Sequence, residues 1–157
     1  MEIKGYLHQI HPVLPVKDVV EALDFYVNRL GFKIGFADDS KNPTYAGILR
    51  DGIEIHLQMQ DGAQWEIEVD RPMLRIVTQN IEALYDEYSE KDVFHPHTLL
   101  RETAWGTREF AFYDPFNNGL TFYRDLALWK MRFLKTNVIF LQQKKMTPVM
   151  FLDKNLA

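Results

Sequence analysis

The stretch Val16-Lys17-Asp18-Val19-Val20-Glu21-Ala22-Leu23 recurs 61 residues later as Val77-Thr78-Gln79-Asn80-Ile81-Glu82-Ala83-Leu84. Four of the eight aligned pairs are identical, and Val20 and Ile81 differ by one methylene. In both copies an apolar run leads to a polar residue, Asp18 or Asn80, of the kind that caps a helix. The repeat therefore predicts two modules that each begin with a strand and a helix.

The segments after each cap complete the modules. Apolar residues recur at helical spacing after Asp18 and after Asn80, and Gly31 is expected to end the first helix. Short apolar runs separated by turn residues, such as Asp51-Gly52, follow both helices and predict strands. The predicted strands are 12–16, 32–37, 45–50 and 53–58 in the first module, and 73–77, 93–100, 107–113 and 120–124 in the second. The sequence thus predicts an α+β fold of two βαβββ modules.

The two modules are expected to form one domain over residues 1–125. They span about 8–59 and 72–125, with the polar segment 60–71 as a linker. A module of roughly 60 residues buries too little surface to be stable alone, so the two must pack together or exchange with a second chain. Residues 126–157 belong to neither copy and are predicted to be a basic, helical C-terminal extension.

Composition restricts the function. The 157 residues are 46% hydrophobic and contain no cysteine, which excludes disulfides, thiolate metal sites and cysteine nucleophiles. No apolar stretch reaches the roughly 18 residues that span a bilayer, and the first residues lack the apolar run of a signal peptide, so a cytoplasmic location is expected. Residues 1–125 carry a net charge of −9, and residues 126–157 carry +5. The acidic body argues against nucleic acid and favours a cationic ligand, although solubility alone also explains it.

Several motifs resemble those of the vicinal-oxygen-chelate superfamily, which includes glyoxalase I, extradiol dioxygenases and bleomycin-resistance proteins. The resemblance is strongest to the bleomycin-resistance group. It is carried by Pro12-Val13-Leu14, Arg29-Leu30-Gly31-Phe32, Tyr45-Ala46-Gly47 and Trp105-Gly106-Thr107-Arg108-Glu109-Phe110-Ala111 with the following Asp114-Pro115. It implies concave mixed sheets, a homodimer and a small-molecule cleft across the dimer interface.

The same resemblance places metal ligands on the first and last strands of each module. The first-strand position is His11, but the residue 61 positions later is Pro72, which has no side-chain ligand. On the last strand of the second module, Thr121 stands where metal-dependent members have Glu. Only His11, Glu54 and His56 remain as weak metal candidates, with Glu54 and His56 on one side of a strand. We therefore expect no metal cofactor and no catalytic residues, and we interpret His95-Pro96-His97 as an exposed turn.

The remaining pattern favours a binding site. Phe36, Tyr45 and Trp105 lie in segments that resemble those lining the drug cleft of bleomycin-resistance proteins, and aromatic faces attract planar and cationic guests. Glu54 and His56 complete the expected ligand-binding set. The first hypothesis is a non-catalytic protein that sequesters a planar or cationic compound in an aromatic-lined acidic cleft at a dimer interface and confers antibiotic resistance. A glyoxalase- or dioxygenase-like metalloenzyme with an atypical metal set is the alternative. A third is a regulatory module whose basic extension binds a partner.

Overall fold

The computed structural model describes residues 5, 7–66 and 70–126, and these form two four-stranded mixed sheets. The first sheet, sheet A, has the order β1-β4-β3-β2, and the second, sheet B, has the order β5-β8-β7-β6. In each sheet the first strand runs parallel to the last, and the other pairs are antiparallel. The strands are β1 (Val13–Val16), β2 (Lys33–Ala37), β3 (Tyr45–Arg50), β4 (Ile53–Met59), β5 (Met73–Val77), β6 (Arg101–Glu102), β7 (Thr107–Tyr113) and β8 (Gly119–Asp125).

The helices begin at the predicted caps. Helix α1 (Val19–Asp24) starts after Asp18, whose carboxylate accepts hydrogen bonds from the amides of Val20 and Glu21 at 2.7 and 3.0 Å. It continues as a π-helical turn (Phe25–Arg29), and Gly31 follows with φ +73°, a conformation that glycine adopts without strain. Helix α3 (Ile81–Ser89) is capped by Asn80. The predicted pair of βαβββ modules is confirmed, whereas the predicted C-terminal helix lies outside the described residues.

The two modules share one hydrophobic core. Helix α1, helix α3 and one face of each sheet contribute to it, and Tyr26, Tyr88 and Phe110 are among its largest buried side chains. A buried carboxylate joins the modules, because the Tyr26 hydroxyl donates to Asp114 at 3.0 Å. Burial raises the pKa of Asp114, although hydrogen bonds from Asn118 and from the amide of Phe116 oppose the increase. None of the described helices is long and apolar enough to cross a bilayer.

One prediction about an individual element is wrong. Residues 93–100 form a loop rather than a strand, and only Arg101–Glu102 pair with β7. Pro96 has no amide hydrogen for a ladder, and Val93 and Phe94 reach the core from irregular backbone. The predicted linker contains a short helix, α2 (Gly62–Glu66). This helix is held by Trp65, whose ring packs on Phe116 and lies 3.7 Å from the Arg71 guanidinium carbon.

The structure also corrects the offset of the repeat. The caps Asp18 and Asn80, the first buried helix residues Val19 and Ile81, and the buried tyrosines Tyr26 and Tyr88 correspond at 62 residues, not 61. Matching residues must point to the same face of a strand, and an offset that is wrong by one residue assigns every side chain to the opposite face. The counterpart of His11 is therefore Met73 rather than Pro72.

Candidate functional site

Each sheet packs one face on the core and leaves the other open. In β4, Ile55 and Leu57 are buried, while Glu54 and His56 alternate with them and face outward. Register pairs His56 with Gly47 on β3 and with Val13 on β1. The open face of sheet A therefore consists of Val13, Phe36, Tyr45, Gly47, Leu49, Glu54, His56 and the preceding His11.

A hydrogen-bonded chain crosses this face. The Tyr45 hydroxyl lies 2.6 Å from Nδ1 of His56, and Nε2 of His56 lies 2.9 Å from Oε1 of Glu54. With Nε2 protonated, His56 donates to the carboxylate and accepts the Tyr45 proton at Nδ1. Nε2 of His11 lies 3.5 Å from Oε2 of Glu54, on the other side of the carboxylate. These hydrogen bonds fix the orientation of Tyr45, His56 and Glu54, which the sequence analysis predicted to bind a ligand.

Aromatic rings complete the same surface. Phe36 contacts His56 edge-on at 5.2 Å and Tyr45 at 6.0 Å between ring centroids. Its ring lies over Gly47, where an added Cβ would come within 2.2 Å of the Phe36 Cε1 atom. Phe36 is 43% exposed, so one side of the ring is accessible to a guest. Four of the five predicted binding residues, Phe36, Tyr45, Glu54 and His56, are thus brought together.

The same cluster offers a set of metal ligands. Ligand atoms of His11, Glu54 and His56 all lie within 4.8 Å of one another. Ligands that share one ion at about 2.1 Å are roughly 3–4 Å apart, so small side-chain movements would suffice. Nε2 of His11 is buried and has no hydrogen-bond partner among the described residues. The first module therefore fits a divalent ion, whereas in the second module the corresponding positions are Met73 and Thr121, which offer neither an imidazole nor a carboxylate. The expected absence of a metal stays a prediction.

Trp105 lies apart from this cluster, on the second module. It precedes β7, is 52% exposed, and helps to lower the pKa of Glu109. No ring contact between Trp105 and Phe36, Tyr45 or His56 is found within the described chain. Within the described chain, the fifth predicted binding residue is therefore not brought together with the other four.

The open face of sheet B has a charge network that the sequence analysis missed. It consists of Met73, Arg75, Val77, Arg101, Glu109, Ala111, Tyr113, Thr121 and Tyr123. Glu109 is buried and accepts from Nη2 of Arg75 at 2.9 Å and from the Thr107 hydroxyl at 2.8 Å. Burial by itself would raise the pKa of Glu109, but these hydrogen bonds outweigh it and lower the pKa. The alternation of Met73, Arg75 and Val77 with Leu74 and Ile76 was the signal that could have placed Arg75 on this face.

Two βαβββ modules, each with an open sheet face carrying polar and aromatic side chains, define the vicinal-oxygen-chelate class of proteins. A family model described as the Glyoxalase/Bleomycin resistance protein/Dioxygenase superfamily matches residues 8–122, and the chain belongs to this superfamily.

Relatives within the superfamily are bleomycin resistance proteins. Those of Geobacillus stearothermophilus and Staphylococcus aureus are 28% identical over 129 residues, which cover 73% of this chain and 95% of theirs. The bleomycin-binding protein of bleomycin-producing Streptomyces verticillus, solved with copper(II)-bleomycin, is 25% identical with a TM-score of 0.62, over 76% of this chain and 97% of that one. The bleomycin resistance determinant of transposon Tn5 has a TM-score of 0.62 at 18% identity, covers 76% of this chain and 98% of its own, and supports the fold alone.

Proposed function

We propose that this protein is a non-catalytic binding protein that sequesters a planar or cationic small molecule, as its relatives' names indicate for bleomycin. The observation that carries the proposal is the arrangement on the open face of sheet A. There, an accessible Phe36 ring, the Tyr45 ring and the Glu54 carboxylate adjoin one another. Rings of this kind stack on planar heterocycles, and a nearby carboxylate favours a positive charge.

The cleft is completed by a second copy of the chain. The open face of sheet A contains the partly exposed apolar residues Val13 and Leu49, and that of sheet B contains Met73 and Val77. Exposed apolar faces of this kind mark interaction surfaces. In a twofold dimer each sheet A can face the partner's sheet B, which would place Trp105 of one chain opposite Phe36 of the other. Such a cleft would have aromatic walls on both sides.

Titration with bleomycin and with simple planar cations tests the proposal. Trp105 reports binding by fluorescence, with Trp105→Phe used to separate its signal from Trp65 and Trp129. A cation stacked on indole gains roughly 0.5–2 kcal/mol, so we expect Trp105→Ala to weaken binding about 2- to 30-fold. Affinity should fall as salt rises, since charges attract the guest. Failure of bleomycin and of all planar cations to bind at millimolar concentration would refute sequestration of this ligand class.

The His11, Glu54 and His56 cluster favours the metalloenzyme as a second candidate function. Elemental analysis after dialysis separates the two. For a binding protein we expect no stoichiometric Zn, Ni, Mn or Fe. A stoichiometric metal that is lost in His11→Ala and kept in His97→Ala, a control histidine on the other sheet's loop, would rank the enzyme above the binding protein.

A further inference from the structure

The open face of sheet B is cationic, although the expected guest is also cationic. Two arginines, Arg75 and Arg101, share this face with one carboxylate, Glu109. Strand register places Arg101 directly across from Glu109 on β7. The acidity predicted for the whole cleft therefore belongs to the sheet A side, at Glu54, and the sheet B side has the opposite sign.

Glu109 does not neutralise both arginines. Its carboxylate is buried and accepts from Arg75 and Thr107. No carboxylate in the described part of the chain lies within salt-bridge distance of Arg101, whose side chain is exposed. Arg101 is therefore available to pair with an anion from outside the protein.

Arg75 is also oriented so that it can bind an anion. Its guanidinium carbon lies 4.5 Å from the centre of the Tyr123 ring, and its Nη2 donates to Glu109. The described hydrogen bonds of Arg75 use Nη2 alone, and the side chain is 43% exposed. An arginine that is already stacked and paired loses little entropy when its remaining N–H groups bind an oxyanion.

Two depressions lie by sheet B, one beside Arg101 and one beside Thr121, the strand-register partner of Arg75. One of about 160 Å³ is lined by Arg101, Glu109, Leu99 and His97. A second, of about 450 Å³, is mainly apolar and is lined by Met73, Tyr113, Thr121, His95 and His97. Its volume is within the range of small-molecule sites. An aromatic ring system can occupy the apolar depression, while an attached anionic group reaches toward the arginines.

We propose that the open face of sheet B is a subsite for a planar aromatic anion, a carboxylate or sulfonate, with Arg101 and Arg75 as its specificity determinants. The inference rests on the proposed binding function and deepens it. A guest that spans both faces is bipolar, with its positive group at Glu54 and its negative group at Arg101 and Arg75.

Three naphthalene derivatives test this subsite, because they share one ring system and differ in charge. They are naphthalene-2-sulfonate, neutral naphthalen-2-ylmethanol and naphthalen-2-ylmethylammonium, each titrated against the full chain and followed by NMR shifts of Tyr113 and His95. Charge-assisted hydrogen bonds give discrimination of a few-fold or more, so we expect the sulfonate to bind about three- to tenfold more tightly than the alcohol at the Tyr113 and His95 signals.

Substitutions assign the preference to its residues. Arg101→Gln should abolish the preference for sulfonate, and because Arg101 is exposed and unpaired, the variant should fold normally. Arg75→Gln should reduce the preference also, and Glu109→Gln should increase it. The control Lys41→Gln removes an exposed positive charge from the loop between β2 and β3 of the first module and should leave the preference unchanged.

Equal binding of sulfonate and alcohol to the unmodified protein would overturn the subsite, as would equal losses in Arg101→Gln and Lys41→Gln. If the ammonium compound or bleomycin still binds in that case, and Glu54→Gln weakens it, the proposed function stands without the subsite. If neither bleomycin nor any naphthalene derivative binds, both proposals are wrong.

Discussion

Glu109 shows how one buried side chain combines a structural role with a binding surface. Its carboxylate is enclosed by β7 and β8 and would be costly to bury without partners. Arg75 and Thr107 supply hydrogen bonds of 2.9 and 2.8 Å, and the pKa of Glu109 is lowered although burial acts in the opposite direction. The charged form is therefore the form that the folded protein stabilises.

Acid should weaken the protein partly through Glu109. Because the folded-state pKa is lower than the unfolded value of 4.5, the stabilisation by Glu109 is fully present above that value. It is lost as pH falls through the folded-state pKa. We expect the free energy of unfolding to fall less between about pH 5 and pH 3 in Glu109→Gln than in the unmodified protein, as measured by urea denaturation. Parallel pH profiles would contradict this role.

At the scale of the element, most strands could be predicted because alternation is visible in the sequence. In β4, Ile55 and Leu57 alternate with Glu54 and His56, and the structure keeps that assignment. The segment 93–100 was wrongly predicted as a strand because its apolar residues enter the core from a loop. Pro96 was the residue that argued against a strand. The offset error arose because Glu82, Ala83 and Leu84 match Glu21, Ala22 and Leu23 by identity but not by position on the helix.

The candidate binding residues also divide into those that the sequence could place together and one that it could not. The residues on β2, β3 and β4 could be placed together because hairpins fix their register. The separation of Trp105 from them could not be predicted from sequence, since it depends on how two modules pack through side chains such as Tyr26 and Asp114.

The close approach of Phe36 to Gly47 provides a steric test of the site on sheet A. A Cβ at position 47 would lie 2.2 Å from Cε1 of Phe36, so Gly47→Ala must displace the ring. The ring is partly exposed and can turn into solvent, which limits the loss of stability. We expect Gly47→Ala to weaken binding of a planar cation about two- to tenfold, as Phe36→Ala should.

Calorimetric titration measures this effect, and Gly62→Ala serves as a control because an added Cβ there meets no atom within 4 Å. Unchanged affinity in Gly47→Ala would show that the guest does not use the Phe36 ring.

At the scale of the whole molecule, the exposed apolar side chains on both sheet faces favour association with a partner. Val77 is 62% exposed on sheet B and Leu49 is 41% exposed on sheet A, and Met73 and Val13 add further exposed apolar surface to these two faces. Water-exposed apolar surface of this extent favours association by roughly 25 cal/mol for each Å² buried. The proposed cleft needs a second copy of the chain for its opposing wall, so we expect a homodimer at micromolar concentration in sedimentation equilibrium.

Charged substitutions test which faces meet in that dimer. Leu49→Glu on sheet A and Val77→Lys on sheet B should each raise the dimer dissociation constant about tenfold or more, because a charge would be buried without an opposite partner. Val20→Glu is the matched control, since Val20 is 52% exposed on the outer surface of α1. If sheet A of one chain faces sheet B of the other, combining Leu49→Glu with Val77→Lys should restore part of the lost affinity across the interface. A monomer at micromolar concentration would exclude the shared cleft, and a dimer disrupted only by Val20→Glu would move the interface to the helices.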